Sequence, residues 1–150
     1  MNQPHIILAV DDEPVNLRTM ERLLRNHFTV LTATSGEDAL KIFQREKISL
    51  IITDQRMPGM LGTELLRKCK AINPDMVGIL VTATSDNNLF IDAIKNSGVL
   101  RVINKPWDPD KMLSTVQDAI AKYERALENK ILMSRLQQMN ENLERITKPH

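Results

Sequence analysis

Runs of apolar and β-branched residues recur along the chain at His5 to Val10, Thr29 to Thr34, Leu50 to Asp54, Val77 to Thr82 and Leu100 to Asn104. Each is short and nearly continuous in apolar character, as strands covered on both faces are. Between them the apolar positions change to helical spacing. Leu17, Met20, Leu23 and Leu24 share one face, Ala39, Leu40 and Phe43 a second, Leu65, Leu66 and Cys69 a third, and Leu89, Ile91, Ala93 and Ile94 a fourth. Ser35-Gly36, Pro58-Gly59, Asn73-Pro74 and Ser97-Gly98 punctuate these segments as turns. Strand followed by helix, repeated, predicts βα units wound on both faces of a five-stranded parallel sheet.

The last helix breaks this rhythm. Pro109 suits a first helical turn, and no Gly or Pro interrupts the chain again until Pro149. A helix of about 38 residues would reach roughly 57 Å, well past a domain of this size. Val116, Ile120, Tyr123 and Leu127 form one apolar series, and Leu132, Leu136, Met139, Leu143 and Ile146 form another. The register slips between Leu127 and Leu132, so the two stripes face different ways. The first is expected to dock on the sheet. The second reads as a coiled-coil seam for a parallel homodimer, because a helix beyond its own domain cannot bury that seam alone.

Composition narrows the function more than the fold. In 150 residues that are 42% hydrophobic there is room for one core, so residues 1–125 are expected to form one domain and 126–150 a helical linker toward an effector outside this chain. Lys and Arg total 20 against 19 Asp and Glu, a balance that gives no electrostatic reason to expect nucleic acid or an anionic membrane as partner. No apolar run is long enough to span a bilayer and no signal segment is apparent, so a cytoplasmic protein is expected. The single cysteine, Cys69, falls on a helical apolar face and reads as core. His5, His27 and His150 lack ligand spacing and are given no role.

The polar residues gather at the carboxyl ends of the strands. Asp11, Asp12 and Glu13 follow the first strand, Asp54 ends the third, Thr82 ends the fourth and Lys105 follows the fifth. Open parallel sheets place their sites there, at the switch point of the topology. In the flavodoxin-like order 2-1-3-4-5, Asp54 would stand between the acidic cluster and Thr82, with Lys105 beyond. Any one of these residues alone reads as a cap, a turn or a surface charge; their convergence is what carries the site. Close carboxylates repel unless a cation joins them, and an oxygen-only set suits Mg²⁺, or Mn²⁺, better than zinc. A metal beside a lysine and a hydroxyl is the inventory of phosphoryl transfer, and Asp54 is the natural nucleophile.

These motifs, AVDDEP, ITDQRMPGMLG, ILVTAT and INKPW, resemble the receiver domains of two-component response regulators over roughly residues 5–125. The resemblance implies a phosphoacceptor at Asp54 and a phosphohistidine donor on a sensor histidine kinase or phosphotransfer protein. It implies direct metal ligation by Asp12, Asp54 and the Arg56 backbone carbonyl, with Asp11 acting largely through water. Thr82 and Lys105 would bind phosphoryl oxygens, and the Lys105-Pro106 bond would be cis. Arg56 and Thr84 occupy positions that tune water access in the family. Receivers commonly carry Tyr or Phe three residues before the lysine; here Val102 stands there, and Trp107 marks a KPW variant whose indole could join the surface of the fourth helix, fifth strand and last helix. Such a module catalyses its own phosphorylation but is not itself an enzyme with a separate substrate.

Three other functions share part of this pattern. A flavodoxin-type FMN binder needs hydroxyls and free amides after the first strand, where three acidic residues would repel phosphate. A hydrolase of the haloacid dehalogenase type would carry a second Asp two residues after the nucleophile, where Arg56 stands. A pseudo-receiver acting only in dimerisation would not require the complete acidic, Thr and Lys set.

Overall fold

The computed structural model describes residues 5–83 and 99–147. The fourth amphipathic stretch, around Leu89 to Ile94, and Thr84 lie outside these residues. Five strands form one parallel sheet: β1 (Ile6–Val10), β2 (Thr29–Ala33), β3 (Leu50–Asp54), β4 (Val77–Ala83) and β5 (Val99–Lys105). Their order is β2-β1-β3-β4-β5, as expected, with strand bounds within about one residue of the sequence reading. Helices α1 (Pro14–Leu24), α2 (Gly36–Arg45) and α3 (Gly62–Ile72) follow the first three strands, and a C-terminal helix runs from Pro109 to Thr147.

Strand alternation sorts the core into two layers. Ile7, Ala9, Leu50, Ile52, Ile79 and Val81 face α1 and the first turns of the C-terminal helix, where they meet Leu17, Met20, Met112, Val116, Ile120 and Tyr123. Leu8, Val10, Ile51 and Leu80 face α2 and α3, against Phe43, Leu65, Leu66 and Cys69. β3 is buried along its whole length, so Asp54 ends the best-covered strand of the sheet. Burial pushes the Cys69 thiol up to about 12, which leaves it an inert core residue.

The C-terminal helix divides where the register slip predicts. Val116, Ile120 and Tyr123 are buried and Leu127 packs against the same core. Leu132, Leu136, Met139 and Leu143 are all more than half exposed, and Ile146 is 80% exposed. Two polar contacts mark the edge of the docked part, both at the amino ends of strands. His5, just before β1, lies with Nδ1 3.0 Å from Ser49 Oγ and Nε2 2.7 Å from Glu124 Oε1, its ring edge-on to Tyr123. Lys130 Nζ donates to Asp75 Oδ2 at 3.0 Å, in the loop before β4. His5, given no role from the sequence, thus ties the base of the sheet to the last helix.

Candidate functional site

At the opposite edge, the carboxyl ends of β1, β3 and β5 bring three acidic residues and a lysine together. Asp11, Asp12 and Asp54 each offer a carboxylate oxygen within 4.8 Å of the others. Asp11 is buried and Asp54 is 9% exposed, whereas Asp12 is open to solvent. Lys105 Nζ donates to Asp54 Oδ2 at 3.0 Å, and the Gln55 N–H donates to Asp54 Oδ1 at 2.9 Å. Asp11 accepts from the Glu13 N–H at 2.9 Å and from the Asn16 amide at 3.1 Å. Those bonds fix its carboxyl, and Asp12 is left as the exposed member of the pair.

The electrostatics of the set favour a cation. The Asp11 carboxyl is held above its ordinary range chiefly by burial. The Glu13 N–H and Asn16 amide oppose that shift, the Asp54 charge adds to it, and Lys105 opposes it. The Lys105 ammonium touches one of three clustered carboxylates, which repel one another unless a further cation joins them. The donors are all oxygens, without His or Cys among them, so the residues present fit a hard divalent cation such as Mg²⁺.

The cleft beside these groups has a volume of about 550 Å³ and is walled by Asn16, Thr19 and Met20 of α1, by Asp11, Asp54 and Lys105, and by Pro106 and Trp107. The Lys105-Pro106 peptide is cis, as the resemblance implied. Trp107 also lines a second, smaller cleft with Val102, Asn104, Lys111 and Thr115, so one residue borders both spaces. Val102 is 37% exposed on β5. Thr82 is buried near the end of β4, with its hydroxyl 3.4 Å from the Ala83 carbonyl. Arg56 lies in the loop that follows Asp54, ahead of the buried Met57 and Met60.

Backbone geometry explains the glycines of that loop. Gly59 has φ +83°, a region where a side chain would be strained. At Gly62 a Cβ would stand 2.4 Å from the Asp54 carbonyl oxygen, so only glycine lets α3 begin so close to the acidic strand end. Asn16, Gln55 and Thr63 escaped the sequence reading. Asn16 is spaced to share the inner side of α1 with Met20, which could have flagged it; the pairing of Gln55 with Thr63 depends on a loop path that no local pattern encodes.

The comparisons agree with this geometry. Residues 7–117 match the response regulator receiver domain family. The chain is 35% identical over 114 residues to the hydrogenase transcriptional regulatory protein HoxA of Cupriavidus necator, covering 76% of this chain and 24% of that protein. It is 32% identical over 140 residues to the C4-dicarboxylate transport transcriptional regulatory protein DctD of Rhizobium meliloti, covering 93% of this chain and 30% of that one. The chain thus spans about a quarter of the length of the curated relatives it matches first. Among solved structures, one described as adenylate cyclase from Rhodopirellula baltica superimposes with a TM-score of 0.83 at 32% identity, covering 88% of this chain and 98% of that one.

Proposed function

The chain belongs to the response regulator receiver domain family of two-component systems, and on that footing we propose that it takes a phosphoryl group on Asp54 from a phosphohistidine of a sensor kinase or phosphotransfer protein. The carrying observation is the meeting at Asp54 of the Lys105 ammonium, 3.0 Å from Oδ2, with the carboxylates of Asp11 and Asp12. In the transfer an Asp54 oxygen forms the new bond to phosphorus while the phosphorus–nitrogen bond of the donor imidazole breaks, and the imidazole leaves with a proton. Asp12, Asp54 and the Arg56 carbonyl would hold Mg²⁺, or Mn²⁺, with Asp11 acting through water. When bound, that ion neutralises charge on the phosphoryl oxygens. Lys105 binds one of those oxygens and the Thr82 hydroxyl another. Arg56 and Thr84 set water access to the acyl phosphate and so its lifetime. With Val102 in the place of an aromatic, Trp107 is the ring available to sense the change.

Residues 1–125 act as the receiver and 126–150 as a linker toward an effector. Output passes along the C-terminal helix, whose exposed seam from Leu132 to Ile146 pairs with that of a second copy. No helix among the described residues is long and apolar enough to cross a membrane. The acceptor assignment is tested by incubation with acetyl phosphate and Mg²⁺, which adds one phosphoryl group of about 80 Da. Equal gain by Asp54→Asn would refute it.

A further inference from the structure

The loop between β3 and α3 contains a closure that the acceptor chemistry leaves unexplained. α3 begins at Gly62 behind Leu61, whose side chain provides no cap. Its first two N–H groups are taken by Gln55 instead: Gly62 N–H donates to the Gln55 backbone carbonyl at 3.0 Å, and Thr63 N–H donates to Gln55 Oε1 at 2.9 Å. Gln55 Nε2 then donates to Thr63 Oγ1 at 3.2 Å. Both residues are 4% exposed, so water does not compete for these bonds. On the other side of the same residue, the Gln55 N–H is shared between Asp54 Oδ1 at 2.9 Å and the Val81 carbonyl at 3.0 Å. One glutamine therefore ties the Asp54 carboxylate, β4 and the start of α3 together. The segment that it closes contains Arg56.

We infer that Gln55 and Thr63 are positioning residues for the acceptor site, whose buried amide–hydroxyl clamp holds the Arg56 carbonyl and the Asp54 carboxylate facing one cation. The inference rests on the reading of Asp54 as acceptor and of Arg56 as a carbonyl ligand. Mg²⁺ demands near-octahedral ligand directions and tolerates poor ones badly. A loop carbonyl has no rigidity of its own, so its direction must be set by whatever anchors the peptides on either side. Gln55 supplies that anchor immediately before Arg56, with its side chain as well as its backbone.

The test compares the whole chain with Gln55→Leu, Thr63→Val and Lys68→Gly. Lys68 is exposed on α3, so glycine there loosens the helix without touching the clamp. Mg²⁺ binding is measured by calorimetry without phosphodonor, and phosphoryl uptake from acetyl phosphate is measured at low and at saturating Mg²⁺. Gln55→Leu is expected to weaken Mg²⁺ binding about tenfold. Thr63→Val, which removes one bond and keeps the Thr63 N–H contact, is expected to weaken it about threefold. In both, uptake recovers most of its rate when Mg²⁺ saturates. Lys68→Gly melts earlier but keeps the wild-type Mg²⁺ affinity. Unchanged affinity in Gln55→Leu overturns the inference, and so does an equal shift in Lys68→Gly. If Gln55→Leu fails to fold, wild-type affinity in Thr63→Val overturns it. Clamp-dependent Mg²⁺ binding in a chain that takes up no phosphoryl group would overturn the acceptor reading while supporting the clamp's role at the metal.

Discussion

Lys105 reaches Asp54 across an intervening strand: Nζ lies 3.0 Å from Oδ2 although β4 separates β5 from β3. The contact is therefore made by a long side chain laid over the sheet edge, where it also meets any group bound to Asp54. Replacing it by methionine keeps the length and removes the charge. Lys105→Met is expected to slow phosphoryl uptake from acetyl phosphate on the order of a hundredfold, the usual scale for losing one preorganised donor. Mg²⁺ should bind somewhat more tightly, because a competing positive charge is gone. Weaker Mg²⁺ binding in this variant would contradict the assignment of the lysine to phosphoryl oxygens.

Asp12 and Asp11 should separate in their effects. Asp12 is exposed, whereas both oxygens of Asp11 already accept hydrogen bonds from Glu13 and Asn16. On the proposed ligand set, Asp12→Ala removes a direct ligand and a charge together, and its Mg²⁺ dissociation constant is expected to rise roughly tenfold or more. Calorimetry on the variant decides the matter; affinity equal to wild type would take Asp12 out of the ligand set.

The C-terminal seam makes a prediction about assembly. Leu132, Leu136, Met139, Leu143 and Ile146 are exposed at a spacing suited to pairing with a parallel copy. About two heptads with methionine among them should give only moderate affinity. In sedimentation the intact chain is expected to form dimers that a version ending at Arg125 does not form, with beryllofluoride shifting the balance. Monomers throughout, at high micromolar concentration, would remove the dimer from the proposed output.

Cys69 offers a check on the core. Its thiol is pushed up to about 12 from an ordinary 9.0 by burial alone. The folded state therefore holds the proton more tightly than the unfolded chain. Its contribution to stability is fully present below pH 9.0 and is lost as pH rises toward about 12. A thiol reagent at pH 8 should label the native chain far more slowly than the urea-unfolded one, and equal rates would mean that α3 is not packed as described.

Much of this architecture was legible because two simple periodicities carry it. The alternation that sends Ile7 and Ala9 to one face and Leu8 and Val10 to the other is local, and so is the slip between Leu127 and Leu132 that separates docked from exposed helix. Asp11, Asp12, Asp54 and Lys105 meet as the sequence suggested because a parallel sheet gathers its strand ends at one edge. What stayed hidden depends on where chain segments pass one another. Gln55 meets Thr63 only because the loop between them folds back, and His5 meets Glu124 only because the last helix runs down the whole sheet. Polar pairs of this kind leave no period in the sequence.

That descent leaves the C-terminal helix with one arm docked on the domain and a second arm of similar length beyond it. Pro109 borders the acceptor cleft, Glu124 and Lys130 are held at the far edge by His5 and Asp75, and the rest projects beyond. The arm from Lys130 to Thr147 is about 26 Å long, so a tilt of about 5° at the two polar contacts would carry its tip sideways by about 2.2 Å. A displacement of that size is roughly half the 4.5–6 Å spacing between seam positions three or four residues apart. Under the proposed pairing, a small rearrangement beside Asp54 that tilted the helix would be read out at Leu143 and Ile146, far from the chemistry.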